Sequence, residues 1–224
     1  MGIKRGEMMV IFYIVRHGQT LLNYLNRAQG WVDSPLTYDG KQAALRLGDK
    51  LKKVNFHAIY ASDMSRATQT AKWILSASGQ STLSIKQDTR LREWCLGNME
   101  AENNAAFVNN ISDWLGGISS FEELNRKLPD VATVIHDHDT TGMTESFSDI
   151  ANRLKSIFWE IAQDNYTKET TYNVLVVTHA FTIKTLFYLF APEQLNKIGK
   201  VKNATISQLK FDGNNFSLMV DEKL

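Results

Sequence analysis

A chain of 224 residues suits one α/β domain with room for an inserted subdomain, and is long enough to bury a sizeable core. With 43% hydrophobic and 22% charged residues it reads as an ordinary soluble globular protein. A formal net charge of +1 removes any bulk electrostatic case for nucleic acid or an anionic membrane, so a bound anion must be gripped by a local cluster. The one cysteine, Cys95, forms no internal disulfide and fits a reducing compartment.

At the N-terminus, Lys4 and Arg5 ahead of the apolar run Met8–Val15 imitate a signal peptide. The run is too short, no small-residue cleavage site follows, and cleavage would threaten the next motif, so the segment reads as a strand with a short leader. Gly6 stands where a myristoylation signal wants Ser or Thr, and no apolar run reaches transmembrane length. The expected location is the cytoplasm.

Val10–Val15 is short, β-branched and aromatic, the signature of a buried strand, and runs directly into Arg16-His17-Gly18-Gln19-Thr20. Gly18 permits a sharp exit from that strand. Leu21–Pro35 reads as a polar loop. Thr37 is the expected N-cap of a helix over Tyr38–Lys53, with Ala44, Leu47, Leu51 and Val54 at helical spacing. His57–Ala61 is a second strand, and Ser62-Asp63 are expected caps for a helix over Met64–Ala77 that ends before Gly79. Leu83–Lys86 is a third strand, reaching the Arg90–Gly97 loop.

From Asn98 to Gly142 the pattern changes to frequent Asn, Ser and Gly, with helical pieces at Glu102–Leu115 and Ser120–Leu128. This segment reads as an insertion over the active site within a single 1–224 domain. Ser146 with Asp149 opens a helix over Phe147–Asn165. Tyr172–Thr178, containing Val174-Leu175-Val176-Val177, is the strongest strand and belongs at the centre of the sheet. Phe181–Phe190 is apolar all round and reads as a buried helix. Ala204–Lys210 and Phe216–Val220 flank Asp212-Gly213, a hairpin signal. The expected fold is a three-layer α/β/α sandwich on a mostly parallel sheet, with a C-terminal hairpin.

Four segments place polar residues just past expected strand ends: Arg16-His17, Arg66 early in its helix, Arg92-Glu93, and Thr178-His179. In open α/β sheets that is where ligands bind. Guanidinium forks match the oxygens of a phosphomonoester. Neutral imidazole is nucleophilic at physiological pH, and a cationic second histidine would stabilise charge on the phosphoryl oxygens. A glutamate with a raised pKa would protonate the leaving alkoxide and then deprotonate water. The scheme needs no metal and no cofactor. His136 and His138, with Asp137 and Asp139, sit at alternate spacing, and an acidic solvated loop is preferred over a metal site. His57 reads as a strand residue without chemistry, and Trp94, Trp114 and Trp159 as core or rim aromatics.

The string Arg16-His17-Gly18-Gln19-Thr20, with the later segments in the same order, resembles the histidine phosphatase superfamily, which includes phosphoglycerate mutases and many phosphatases. The resemblance implies that His17 is the phosphorylated histidine, that Arg16, Arg66 and His179 form the phosphate pocket, and that Glu93 is the proton donor. It implies that Asn23 helps bind the transferring phosphate and that Gln29-Gly30, ahead of Asp33-Ser34-Pro35-Leu36-Thr37 and Gly40, closes one side of the site on the substrate. Glu145-Ser146 and Asn203-Ala204-Thr205 resemble weaker family patterns. Ala180 and Ala101 stand where many relatives have Gly. The mutases' Tyr-Gly-containing loop after the glutamate is replaced here by Trp94-Cys95-Leu96-Gly97. The implied activity is hydrolysis of a small phosphomonoester, with a primer-dependent phosphoglycerate mutase as the alternative and a non-catalytic phosphate-binding scaffold as the third reading. Neither nucleic acid nor membrane is an expected partner, and oligomeric state stays open, a homodimer included.

Overall fold

The apolar run Val10-Ile11-Phe12-Tyr13-Ile14-Val15 with Arg16 forms β1 (Val10–Arg16). The computed structural model describes residues 9–118, 121–166, 171–197 and 200–219. The leader with Lys4, Arg5 and Gly6, the expected helix start at Ser120 and the expected strand end at Val220 lie outside the described residues. After β1 come α1 (Leu21–Tyr24), α2 (Tyr38–Lys50), β2 (Ala58–Ala61) and α3 (Ser65–Ser78). β3 (Ile85–Gln87) leads to α4 (Asn104–Trp114), α5 (Phe121–Arg126) and α6 (Leu128–Asp137). Then follow α7 (Phe147–Asn165), β4 (Tyr172–Thr178), α8 (Ala180–Phe190), β5 (Ile206–Phe211) and β6 (Phe216–Met219).

The sheet order is β3-β2-β4-β1-β5-β6. β4 pairs in parallel with β1 and β2, and β2 with β3, while β5 runs antiparallel to β1 and β6. Alternation along the strands builds the three layers. Phe12, Ile14, Val174 and Val176 pack into one core with residues of α4, α6, α7 and α8. Tyr13, Val15, Leu175 and Val177 pack into the other with α2 and α3. β4 is therefore buried on both faces, as its unbroken apolar run requires. The expected α/β/α sandwich is the observed fold.

The departures have identifiable causes. α1 lies inside the expected Leu21–Pro35 loop, held by a capping box in which Thr20 and Asn23 exchange side-chain contacts. α2 ends at Lys50 and tightens into a 3₁₀ turn over Leu51–Lys53. The expected Ser62-Asp63 caps are not used: Met64 is the N-cap of α3 and makes no side-chain cap bond. Instead Asp33 Oδ2, from another loop, accepts the Ser65 N–H at 2.6 Å, and Asp63 pairs with Arg92. The expected acidic loop at His136–Asp139 is largely the end of α6, whose Leu128, Val131, Ala132 and Ile135 are buried at helical spacing behind Pro129 in the first turn. His136 Nδ1 lies 3.0 Å from Thr144 Oγ1, whereas His138 stacks on Trp114 at 3.9 Å, so the two rings serve different neighbours. Among the described residues no cluster of His, Cys, Asp and Glu could hold a metal, and no helix is long and apolar enough to cross a membrane.

Candidate active site

β1 and β4 are adjacent and parallel, and their last paired residues are Arg16 and Thr178. The next residue of each strand is a histidine, so His17 and His179 emerge side by side with ring centroids 5.2 Å apart. His17 is 2% exposed, and its Nδ1 lies 2.8 Å from the Gly18 carbonyl oxygen. A carbonyl only accepts, so Nδ1 carries the proton and Nε2 keeps its lone pair. Burial, followed by the Arg66 and Arg16 charges, holds the His17 pKa well below its usual 6.5, so the ring is neutral. Gly18 is required here for space rather than for an unusual backbone angle. A Cβ on it would lie 2.6 Å from the Gly40 carbonyl oxygen, at the start of α2.

Arg66, fully buried in the first turn of α3, ties His179 to the loop after α1. Its Nε donates to His179 Nδ1 at 3.2 Å, one terminal nitrogen donates to Val32 O and Asp33 Oδ1, and the other donates to Gly30 O at 2.6 Å. Because His179 Nδ1 accepts, the ring proton sits on Nε2, a buried donor with no hydrogen-bond partner among the described residues. Burial and then the Arg66 charge push the His179 pKa well below 6.5. The second histidine is thus a neutral N–H donor here.

Glu93, 4% exposed, lies at the N-terminus of α8. Oε2 accepts from the Phe181 N–H at 3.0 Å, and Oε1 from Thr182 N–H at 2.9 Å, Thr182 Oγ1 and Trp94 N–H. A carboxylate there meets the positive end of the helix dipole. Arg92 makes its ion pair with Asp63 and leaves Glu93 to the helix. The Arg153 guanidinium, paired with Glu145, donates to the carbonyls of Arg90, Arg92 and Glu93 and fixes this loop.

Arg16, Asn23, Gln29 and Glu93 line a cavity of about 120 Å³ together with Arg27, Phe107 and Phe181. His17, Arg66, His179 and Gly30 are outside that lining. Arg16 donates to Val201 O at 2.7 Å, and its buried Nε has no hydrogen-bond partner among the described residues. Asn23 Oδ1 accepts from Asn203, which also donates to the His17 carbonyl, so the amide nitrogen is the end of Asn23 left for a ligand. Gln29 reaches the cavity while its amide clamps Thr20, Val32 and Ser34. Gly30 shapes the wall: a Cβ there would lie 2.4 Å from the Trp94 carbonyl oxygen.

Sequence reasoning missed the carboxylate that holds this wall in place. Glu100 accepts from the backbone N–H groups of Gly30, Trp31, Val32 and Leu96. Three of those donors lie 68 to 70 positions away, and a backbone amide leaves no mark on residue identity, so no sequence signal pointed to it. Arg153 goes unmarked in the sequence for the same kind of reason, and Asp33 figures there only as one member of the loop string Asp33–Thr37. Ala101, next to Glu100, has φ +60°, a left-handed conformation that glycine adopts without strain.

The two histidines also set a pH dependence. Their folded pKa values lie below the unfolded value of about 6.5, so below that pH the unfolded chain binds more protons and stability falls. Carboxylates held low, such as Asp33, add their loss only below about pH 4. Thermal unfolding should therefore show Tm falling between pH 7 and 5, and a His17→Gln/His179→Gln double variant should flatten that slope. An unchanged slope would place the titration elsewhere.

The sequence pattern of the histidine phosphatase superfamily (branch 1) matches residues 12–221. The crystal structure of phosphoglycerate mutase from Bacillus anthracis str. Sterne superposes with a TM-score of 0.85 at 33% identity, covering 97% of this chain and 94% of that one. Bacillus stearothermophilus YhfR superposes with a TM-score of 0.69 at 30% identity, covering 96% of this chain and 98% of that one. The probable phosphoglycerate mutase GpmB of Escherichia coli O1:K1 / APEC is 37% identical over 106 residues, 47% of this chain and 48% of its own length, so that match spans about half of the relative. A match running from the first strand to the last, on a fold shared almost end to end with the Bacillus anthracis structure, makes this chain a member of the histidine phosphatase superfamily, branch 1.

Proposed function

We propose that this protein hydrolyses small phosphomonoesters through a phosphohistidine on His17, as one catalytic unit in which residues 98–142 cover the site. The observation that carries the reading is the tautomer of His17: Nδ1 is committed to the Gly18 carbonyl, and neutral Nε2 is the nucleophile. Nε2 attacks phosphorus as the ester P–O bond breaks, and the leaving oxygen takes a proton from the Glu93 carboxyl. Water then attacks the phosphohistidine, gives its proton to Glu93, and the P–N bond breaks to release inorganic phosphate. Arg16 Nε and His179 Nε2–H are the donors for the phosphoryl oxygens, with the Asn23 amide at the cavity wall.

Release of inorganic phosphate from a panel of phosphomonoesters, without added metal, tests the reading. Glu93→Gln should slow an alkyl ester by about a hundredfold or more and a nitrophenyl ester far less, because a good leaving group needs no proton. Equal losses on both would remove Glu93 from the acid role. The second reading is a phosphoglycerate mutase, favoured by the likeness to the Bacillus anthracis structure. Interconversion of phosphoglycerates that requires a bisphosphate primer, without net phosphate release, would decide for it.

A further inference from the structure

Thr182, fully buried in the first turn of α8, presents its hydroxyl to two acceptors at once. Oγ1 lies 2.8 Å from the Arg92 carbonyl oxygen and 3.1 Å from Glu93 Oε1. One hydroxyl proton serves one acceptor at a time. Neither acceptor depends on it. The Arg92 carbonyl also receives the Arg153 guanidinium at 2.8 Å, and Oε1 also receives the Thr182 and Trp94 N–H groups. The hydroxyl can therefore turn from one to the other without leaving a buried acceptor unpaired. The two oxygens of Glu93 are unequal as well. Oε1 faces the Thr182 N–H, the Trp94 N–H and the Thr182 hydroxyl, whereas Oε2 accepts only the Phe181 N–H among the described residues.

We infer that Thr182 is a positioning residue whose hydroxyl follows the Glu93 proton, and that Oε2 is the oxygen on which that proton is held. With the proton on Oε2, the hydroxyl rests on the Arg92 carbonyl. As Oε2 gives its proton to the leaving oxygen, negative charge spreads onto Oε1, and the charged acceptor draws the hydroxyl across. The carboxylate is thus stabilised as it forms. When water attacks the phosphohistidine its proton returns to Oε2, and the hydroxyl turns back. The inference rests on Glu93 being the general acid. Arg16, Arg66 and Lys184 feel the charge on Glu93, Arg27 shares its cavity, and Arg153 holds its carbonyl. His17 and His179 are neutral. All of these groups stay in place when the Thr182 hydroxyl alone is removed.

Burial lowers the Lys184 pKa to about 8, within the span of a rate profile, so the test reads the carboxyl itself. Infrared spectra of the free protein across pH follow the protonated carboxyl, with the Glu93 band assigned by its loss in Glu93→Gln. Thr182→Val takes away a donor to the charged form, so the Glu93 midpoint should move up by about one pH unit. Thr182→Ser, which restores a hydroxyl, should bring it back. Tm recorded on each variant shows that the fold is retained, and Thr182→Ala removes the hydroxyl as well should valine not be tolerated. A midpoint that stays put without the hydroxyl, a serine variant that behaves like valine, or a folded protein with no Glu93 band would overturn the inference. Phosphate release from an alkyl ester is measured alongside. A shifted midpoint in a protein that releases no phosphate would overturn the hydrolase reading and leave the coupling of hydroxyl to carboxyl standing.

Discussion

His17→Ala should lower phosphate release by about a thousandfold or more, since it removes the atom to which the phosphoryl group is transferred. The fold should survive, because the imidazole sits just beyond β1 and, among the described residues, its one side-chain hydrogen bond is to the neighbouring Gly18 carbonyl. Wild-type protein mixed with substrate labelled in the phosphate and quenched in alkali should retain label as phosphohistidine, and the variant should retain none. Retained turnover, or retained label, in a folded His17→Ala protein would move the nucleophile to another residue. The residual rate reports what the flanking donors achieve without covalent catalysis.

Arg66→Met should have the next largest effect, and it should reach stability as well as activity. The substitution leaves the Gly30 carbonyl and His179 Nδ1 with no donor among the described residues and takes one of several donors from Asp33 and from the Val32 carbonyl. Removing one partner from such a buried network costs about 3–5 kcal/mol, which for a chain of this size lowers Tm by about 10 °C. Activity should fall further than stability explains, because His179 is then free to place its proton on Nδ1. Arg66→Lys should restore little, since an ammonium cannot reach a ring nitrogen, a carboxylate and two carbonyls in one plane. Full activity in Arg66→Lys would show that charge alone is needed at this position.

Much of this was legible in the sequence, and the reason is local. The β1 and β4 strands announce themselves by unbroken apolar runs, and α7 by Ser146 and Asp149 at capping distance; β4 and α7 fall on their expected bounds, and β1 extends one residue past its apolar run to Arg16. His17, Arg16, Arg66, Glu93 and His179 follow short signatures at strand ends, and the fold gathers them around one place. What stayed hidden depends on partners distant along the chain. Glu100 holds three consecutive amides of the Gly30–Val32 loop, Asp33 replaces the expected cap of α3, and Arg66 sets the tautomer of His179. The α6 helix is obscured in the sequence by the His-Asp alternation at its end, although Pro129 in its first turn and the buried Val131, Ala132 and Ile135 mark it.

The pairing of Arg16 with Thr178 at the ends of β1 and β4 has a mechanical consequence. The two imidazoles ride on neighbouring strands of the innermost ladder, so their separation is a lattice spacing of the sheet rather than a choice of rotamer alone. A slip of one residue in that ladder would carry one ring about 3.3 Å past the other and turn it to the opposite face. Amides of β1 and β4 should accordingly be among the slowest to exchange with solvent. Substitutions deep in the core, far from any ligand, would register as catalytic defects whenever they let those two strands slide.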